Sequence, residues 1–230
     1  MKPPTDPKAE LAAALVKGAV STIPIAGGMI SEVGNLYLNP LEKRKQAWMN
    51  EVGRAIEEIR ERFSRLPESL EDDESFISFL YQTTILALKN HQREKLEALS
   101  NALVSAADPK CVSEDLVFQF IRYIDELSVT HLKILAGIEK HAGQLTRLEN
   151  LDQVYSRFQS LTAISLDRAM FRSFLQDLDA RFLICIGDLE DFAEYATKVE
   201  HIVTEQSGKR PLTVTEFGRT FLSFLNDKRP

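Results

Sequence analysis

Four histidines, two cysteines and a few neighbouring acid pairs are the side chains here that could move protons, attack a carbonyl or hold a metal. A zinc-binding helix needs two imidazoles one turn apart, with a glutamate beside them, so that both reach one ion. His91, His131, His141 and His201 form no such i, i+4 pair, and HExxH does not occur. Each is expected to be a satisfied structural or surface side chain. His131 has a second option: it falls in the first turn of a helix, between Asp125-Glu126 and Lys133, where it either packs on the preceding helix or lines a pocket.

The pairs Asp72-Asp73, Asp177/Asp179 and Glu190/Asp191 would suit general acid–base work if both carboxyls met one substrate. Near neighbours on a helix point apart, so these acids are expected to cap or solvate helices. Gly27-Gly28 lacks both the GxGxxG spacing and the Lys-Ser/Thr of a phosphate loop, and no Gly-x-Ser-x-Gly elbow occurs. Cys111 and Cys185 have no CxxC or Cys/His spacing and no neighbouring base, so two reduced thiols are expected. The reading is no catalytic residue, no cofactor and no metal: not an enzyme.

Charge narrows the partners. The 230 residues hold 28 Lys+Arg and 34 Asp+Glu, a net charge of -6. Residues 1–64 carry about +1, 65–124 about -4 and 125–230 about -3, so no segment is a basic platform for phosphate. Nucleic acid is disfavoured as a partner. At 44% hydrophobic and 27% charged, the chain has the composition of a folding globular protein. The start MKPPTDPKAE has no apolar run behind a basic stretch, so a cytoplasmic protein is expected.

The elements that must position these residues read as helices almost throughout. Residues 1–7, with Pro3, Pro4 and Pro7, are expected to be a flexible tail, and the Ala-rich stretch from Lys8 to Thr22 a helix ended by Pro24. After a turn at Pro24 to Gly28, Met29 to Tyr37 form a short amphipathic helix, which makes an N-terminal helical hairpin. Asn39-Pro40-Leu41-Glu42 predicts a fresh helix start, with Trp48, Val52, Ile56, Ile59 and Phe63 as its stripe. A further stripe runs from Phe76 to Leu103, and another from Leu116 to Leu127 behind Ser113. Together, 8–124 reads as a helical domain.

Residues 125–230 change character. Ser128 predicts a helix cap, two more helical patterns follow, and Phe182-Leu183-Ile184-Cys185-Ile186 reads as a short buried strand with a partner at Pro211 to Val214. Thr215 then caps a last helix. The order of three helices, strand, excursion, strand and helix resembles a winged-helix domain, carried by Leu212-Thr213-Val214-Thr215-Glu216-Phe217-Gly218-Arg219-Thr220-Phe221-Leu222. The excursion departs from a simple wing, because Leu189, Phe192, Ala196, Val199 and Val203 give it a helical stripe. The fold class read here is mainly α, with a winged-helix-like α+β unit and its two-stranded ribbon at the end.

The chain also resembles a family of uncharacterised bacterial helical proteins. The likeness rests on Asn39-Pro40-Leu41-Glu42-Lys43-Arg44 leading to Trp48, on Lys95 to Ala102, on Asp125-Glu126-Leu127-Ser128 with His131 to Leu135, and on Thr215 to Leu222. It implies a bacterial cytosolic origin and a helical fold, and brings no activity.

These features point to a non-catalytic protein-interaction or self-assembly module, with a protein partner or a second copy. Two alternatives remain open. Ile23, Ile25, Met29, Ile30, Val33 and Leu36 could form a membrane-active segment of a pore-forming or defence-type effector. The eight Val, Ile, Leu and Met residues between 19 and 38 give about -4 kcal/mol of insertion energy, against about +3 for Glu32, so a membrane is open to them only after a conformational change. In the other alternative the winged-helix-like unit regulates transcription, with Arg168, Arg172, Lys209 and Arg210 as its nucleic-acid contacts.

Overall fold

The computed structural model describes residues 32–63, 70, 72–108, 113–187 and 212–226, with side chains from Pro40 onward. The protein is mainly helical, with a small two-stranded antiparallel sheet near its C-terminal end. The expected tail, first helix and turn lie outside the described residues, as does the excursion between the strands. The chain forms two compact units, Met1–Glu126 with Phe224–Pro230, and Leu127–Ser223.

The first unit is built on α1 (Glu32–Phe63), α2 (Glu74–Lys89), α3 (Arg93–Ala106) and α4 (Glu114–Glu126). Both α1 and α4 pack against α2 and α3. Trp48, Val52, Ala55, Ile56 and Ile59 recur every three or four residues on α1 and are buried. The Trp48 Nε1–H donates to Thr84 Oγ1 at 2.9 Å, so the indole's polar atom is satisfied inside the core. Phe79 and Phe118 meet edge-on, with centroids 4.7 Å apart. Phe120 lies 5.2 Å from Phe224, whose carbonyl accepts from Ser105.

Two helix boundaries differ from the sequence expectation. The fresh start at Asn39-Pro40 is not made: α1 runs through Pro40. Proline already holds a helical φ; the bond it forfeits and the crowding of its ring against the carbonyl one turn back are a local cost that a 32-residue helix spans. Conversely, the single stripe from Phe76 to Leu103 is two helices. Asn90 ends α2 by turning its backbone to φ -97°, ψ 144° and sending its side-chain amide back to Leu86 O at 2.9 Å. The three-residue link keeps the apolar spacing nearly in phase, so periodicity alone did not mark the break.

The second unit contains α5 (Val129–Lys140), α6 (Ala142–Leu145), α7 (Leu151–Leu161), α8 (Arg168–Ala180), β1 (Ile184–Cys185) and β2 (Thr213–Val214); α9 (Glu216–Leu225) begins in it. Side-chain caps fix the helix starts: Ser128 on α5, Asn150 on α7, Asp167 on α8, and Thr215, whose hydroxyl accepts from Gly218 N–H at 2.9 Å. The strands pair antiparallel, Ile184 with Val214 and Cys185 with Thr213. Phe158, Phe171, Leu175, Leu178, Leu183 and Phe221 are buried in the core of this unit.

The expected five-residue strand shrinks to two residues. Phe182 adopts φ 58° and Gly187 φ 71°, so both ends of the apolar run leave extended geometry.

Candidate functional site

Helix α8 ends in a backbone arrangement that usually needs glycine. The Leu183 N–H reaches back to Leu178 O at 3.0 Å and the Phe182 N–H to Asp179 O at 2.8 Å, the paired bonds of a Schellman ending. Leu178 and Leu183, the two positions whose apolar contact commonly accompanies such an ending, are both fully buried. The residue that must turn left-handed is Phe182, and its φ of 58° is costly for a side chain bearing a Cβ. Thr215 Oγ1–H donates to the Phe182 carbonyl, so this backbone is held from the start of α9 as well as from α8.

The ring fixed in this way gains little from the fold. Phe182 is 75% exposed, the most exposed large apolar side chain among the described residues, ahead of Met170, Leu41 and Tyr81. Sequence reasoning placed it at the edge of a buried strand. The signal that could have found it is an aromatic standing directly behind a helix, where glycine normally terminates the turn.

On the same helix, Asp177 accepts from Arg181 and from His131. The His131 Nε2–H donates to Asp177 Oδ2 at 3.0 Å, and its ring meets Phe174 edge-on at 4.4 Å between centroids. Its Nδ1 accepts from Ser128 N–H at 3.1 Å, while Ser128 Oγ accepts from His131 N–H at 3.3 Å, a reciprocal capping box on α5. Ser128 Oγ also lies 2.8 Å from Nδ1, so serine, imidazole and carboxylate stand in the order of an acyl-transfer triad. The Nδ1 lone pair is nevertheless shared with the Ser128 backbone, and the hydroxyl serves the helix cap. The cluster therefore clamps α5 to α8, and His131 packs between helices.

Asp179 is half-buried; desolvation pushes its carboxyl above the usual range, and the Ile186 N–H donated to it at 3.0 Å opposes the shift.

The first unit carries an open groove of about 610 Å³ between α2 and α4. Ile85, Leu86, Phe118 and Ile121 supply its apolar lining, and Asp115, Arg122 and Asp125 its charges. Arg122 pairs with Glu126 at 3.5 Å. Behind it, the nearly buried Lys95 donates to the Asp125 carbonyl at 2.8 Å; burial lowers its pKa, and the Asp125 charge partly restores it.

Of the candidate nucleic-acid contacts, Arg168 opens α8 and pairs with Asp152, and Arg172 is half-buried on the same helix. Lys209 and Arg210 lie outside the described residues. So do Ile23, Ile25, Met29 and Ile30 of the candidate membrane segment, while Val33 and Leu36 belong to the first turns of α1. Among the described residues, no helix is long and apolar enough to cross a membrane, and no group of three His, Cys, Asp or Glu side chains could hold a metal ion. Compared with protein-family models, curated proteins and solved structures, the chain matches none.

Proposed function

We propose that this protein is a non-catalytic protein-interaction or self-assembly module, and that Phe182 is an anchor of its contact surface. The observation that carries the reading is the pairing of cost with exposure: a left-handed phenylalanine whose ring is 75% in solvent. A left-handed residue with a Cβ costs about 1–2 kcal/mol. Strain of this kind persists where the surroundings over-determine it, and it gathers at sites of function. Aromatic side chains, phenylalanine among them, are enriched at protein interfaces, because their area is large and few torsions are frozen on docking. A cytoplasmic setting accords with two cysteines that have no pairing spacing. A winged-helix-like description of the second unit accords with its helices, two-stranded ribbon and capped last helix.

The test is a trade of stability against association. Phe182→Gly relieves the strain and removes the ring, so the variant should melt a few degrees above the wild type while losing its protein contact. A variant that melts below the wild type would show that the ring serves the fold and would end this reading.

A further inference from the structure

The solvent side of α2 carries what a two-fold contact between copies requires. Tyr81 is exposed at the midpoint of the helix: Glu74 stands seven residues before it, and Lys89 seven residues after its neighbour Gln82. Both charged ends are exposed. Seven residues make about two turns, so Glu74, Tyr81 and Leu88 share one face, with Lys89 at its edge. Laid antiparallel on its own copy about this midpoint, the helix sets each Glu74 opposite the other copy's Lys89. A parallel pairing would instead set like charges together, so the charges select the antiparallel arrangement.

The α2–α4 groove opens on the next side of α2, beginning at Gln82 and Ile85. Its apolar floor is short: Ile85 and Leu86 are adjacent, and Phe118 and Ile121 lie one turn apart, a footprint for a ring and too little for a helix. Its rim is balanced, with Asp115 and Asp125 set against Arg122 and the Lys95 behind it. A balanced rim over a short apolar floor favours a neutral group with one polar tip, and a tyrosine is such a group, its ring apolar and its hydroxyl able to donate and accept. Tyr81 directly precedes the groove's Gln82, and adjacent helix positions point about 100° apart, so it sits beside the groove and outside its lining. A surface that holds knob and hole side by side is self-complementary, because a two-fold axis between them lets each copy's knob fill the other's hole. We infer that the protein self-associates through α2, as an antiparallel two-fold pair in which each Tyr81 enters the other copy's groove and each Glu74 meets the other copy's Lys89. One helix face and one groove make a small contact, so the association is reversible and concentration dependent. The inference deepens the self-assembly reading by naming a second copy as the partner, but it stands on the first unit alone, so it and Phe182 can fail separately.

Sedimentation velocity of the full chain, from about 1 μM to about 1 mM, should show a reversible monomer–dimer equilibrium. Tyr81→Ser should weaken the dimer at least about tenfold, as for an aromatic anchor lost from both copies. Glu74→Lys and Lys89→Glu, each alone, should weaken it by about tenfold, because each sets like charges against one another at both ends of the contact. An equimolar mixture of those two variants should recover the wild-type dimer, since every end contact of the mixed pair again joins opposite charges. All three positions are exposed, and a circular dichroism melt checks that each variant folds. A wild-type chain that stays monomeric throughout, a dimer indifferent to Tyr81→Ser, or charge variants that the mixture fails to rescue would each overturn the assignment. A dimer lost in Phe182→Gly and kept in Tyr81→Ser would place the self-contact on the second unit, which overturns this inference while supporting the reading of Phe182.

Discussion

A Cβ on Gly218 would lie 2.0 Å from the carbonyl oxygen of Leu183. Gly218 sits in the first turn of α9, and Leu183 immediately precedes β1, so the close approach of helix and strand exists only because this position has no side chain. The obstacle is backbone, which cannot swing aside as a side-chain tip would. Inside a helix, alanine normally gains up to about 1 kcal/mol over glycine; here the sign reverses. Gly218→Ala should cost about 3 kcal/mol or more, beyond the usual range for overpacking, measured as a shift in the urea midpoint.

Trp48 and Thr84 give a second, milder case. Thr84 is fully buried and is the acceptor for the indole N–H. Its neighbour Thr83 directs its hydroxyl along its own helix instead, donating to the Phe79 and Leu80 carbonyls. Thr84→Val preserves shape and leaves a buried donor without a partner, at a cost of about 1–3 kcal/mol. Trp48 is the chain's single tryptophan, so its emission during denaturation reports this loss directly.

The capping box on α5 predicts a third outcome. Ser128→Ala removes the hydroxyl that satisfies His131 N–H and should cost about 1 kcal/mol, typical of a lost N-cap. His131→Ala removes the return bond to Ser128 N–H and the tie to Asp177 together, so it should cost more than Ser128→Ala. Both changes break the same box, so the double variant should fall short of the sum of the two, as a double-mutant cycle by thermal melting would show.

The caps were legible in the sequence because a cap is local: Ser128 and Thr215 announce their helices through a hydroxyl and the residues that follow. The stripes of α1 and α4 were legible for the same reason, since one face of a helix is written at fixed spacing. Phe182 was not legible, because its conformation is set by its N–H bond to the Asp179 carbonyl and by the Thr215 hydroxyl donated to its own carbonyl, the second partner 33 residues away. The groove was not legible either. Ile85 and Phe118 share it only through the packing of α2 on α4, and on each helix alone they read as ordinary flank positions of an apolar stripe.

Asp179 makes the fourth prediction, and its sign follows from its environment. Desolvation raises the carboxyl's pKa in the folded state above the value it has in the unfolded chain. Between those two values the native state binds the proton more firmly, so this group's contribution to stability falls as pH rises through that window and stays low above it. Asp179→Asn keeps an oxygen to accept the Ile186 N–H and carries no charge to desolvate. The variant should therefore melt above the wild type at pH 7, and the gap should close as the medium is made acidic enough to protonate the wild-type carboxyl. Parallel melts of the two chains across pH 4 to 8 isolate this group from the His131–Asp177 pair, which both share. A gap that stays constant or widens in acid would show that the charge is not what Asp179 costs the fold.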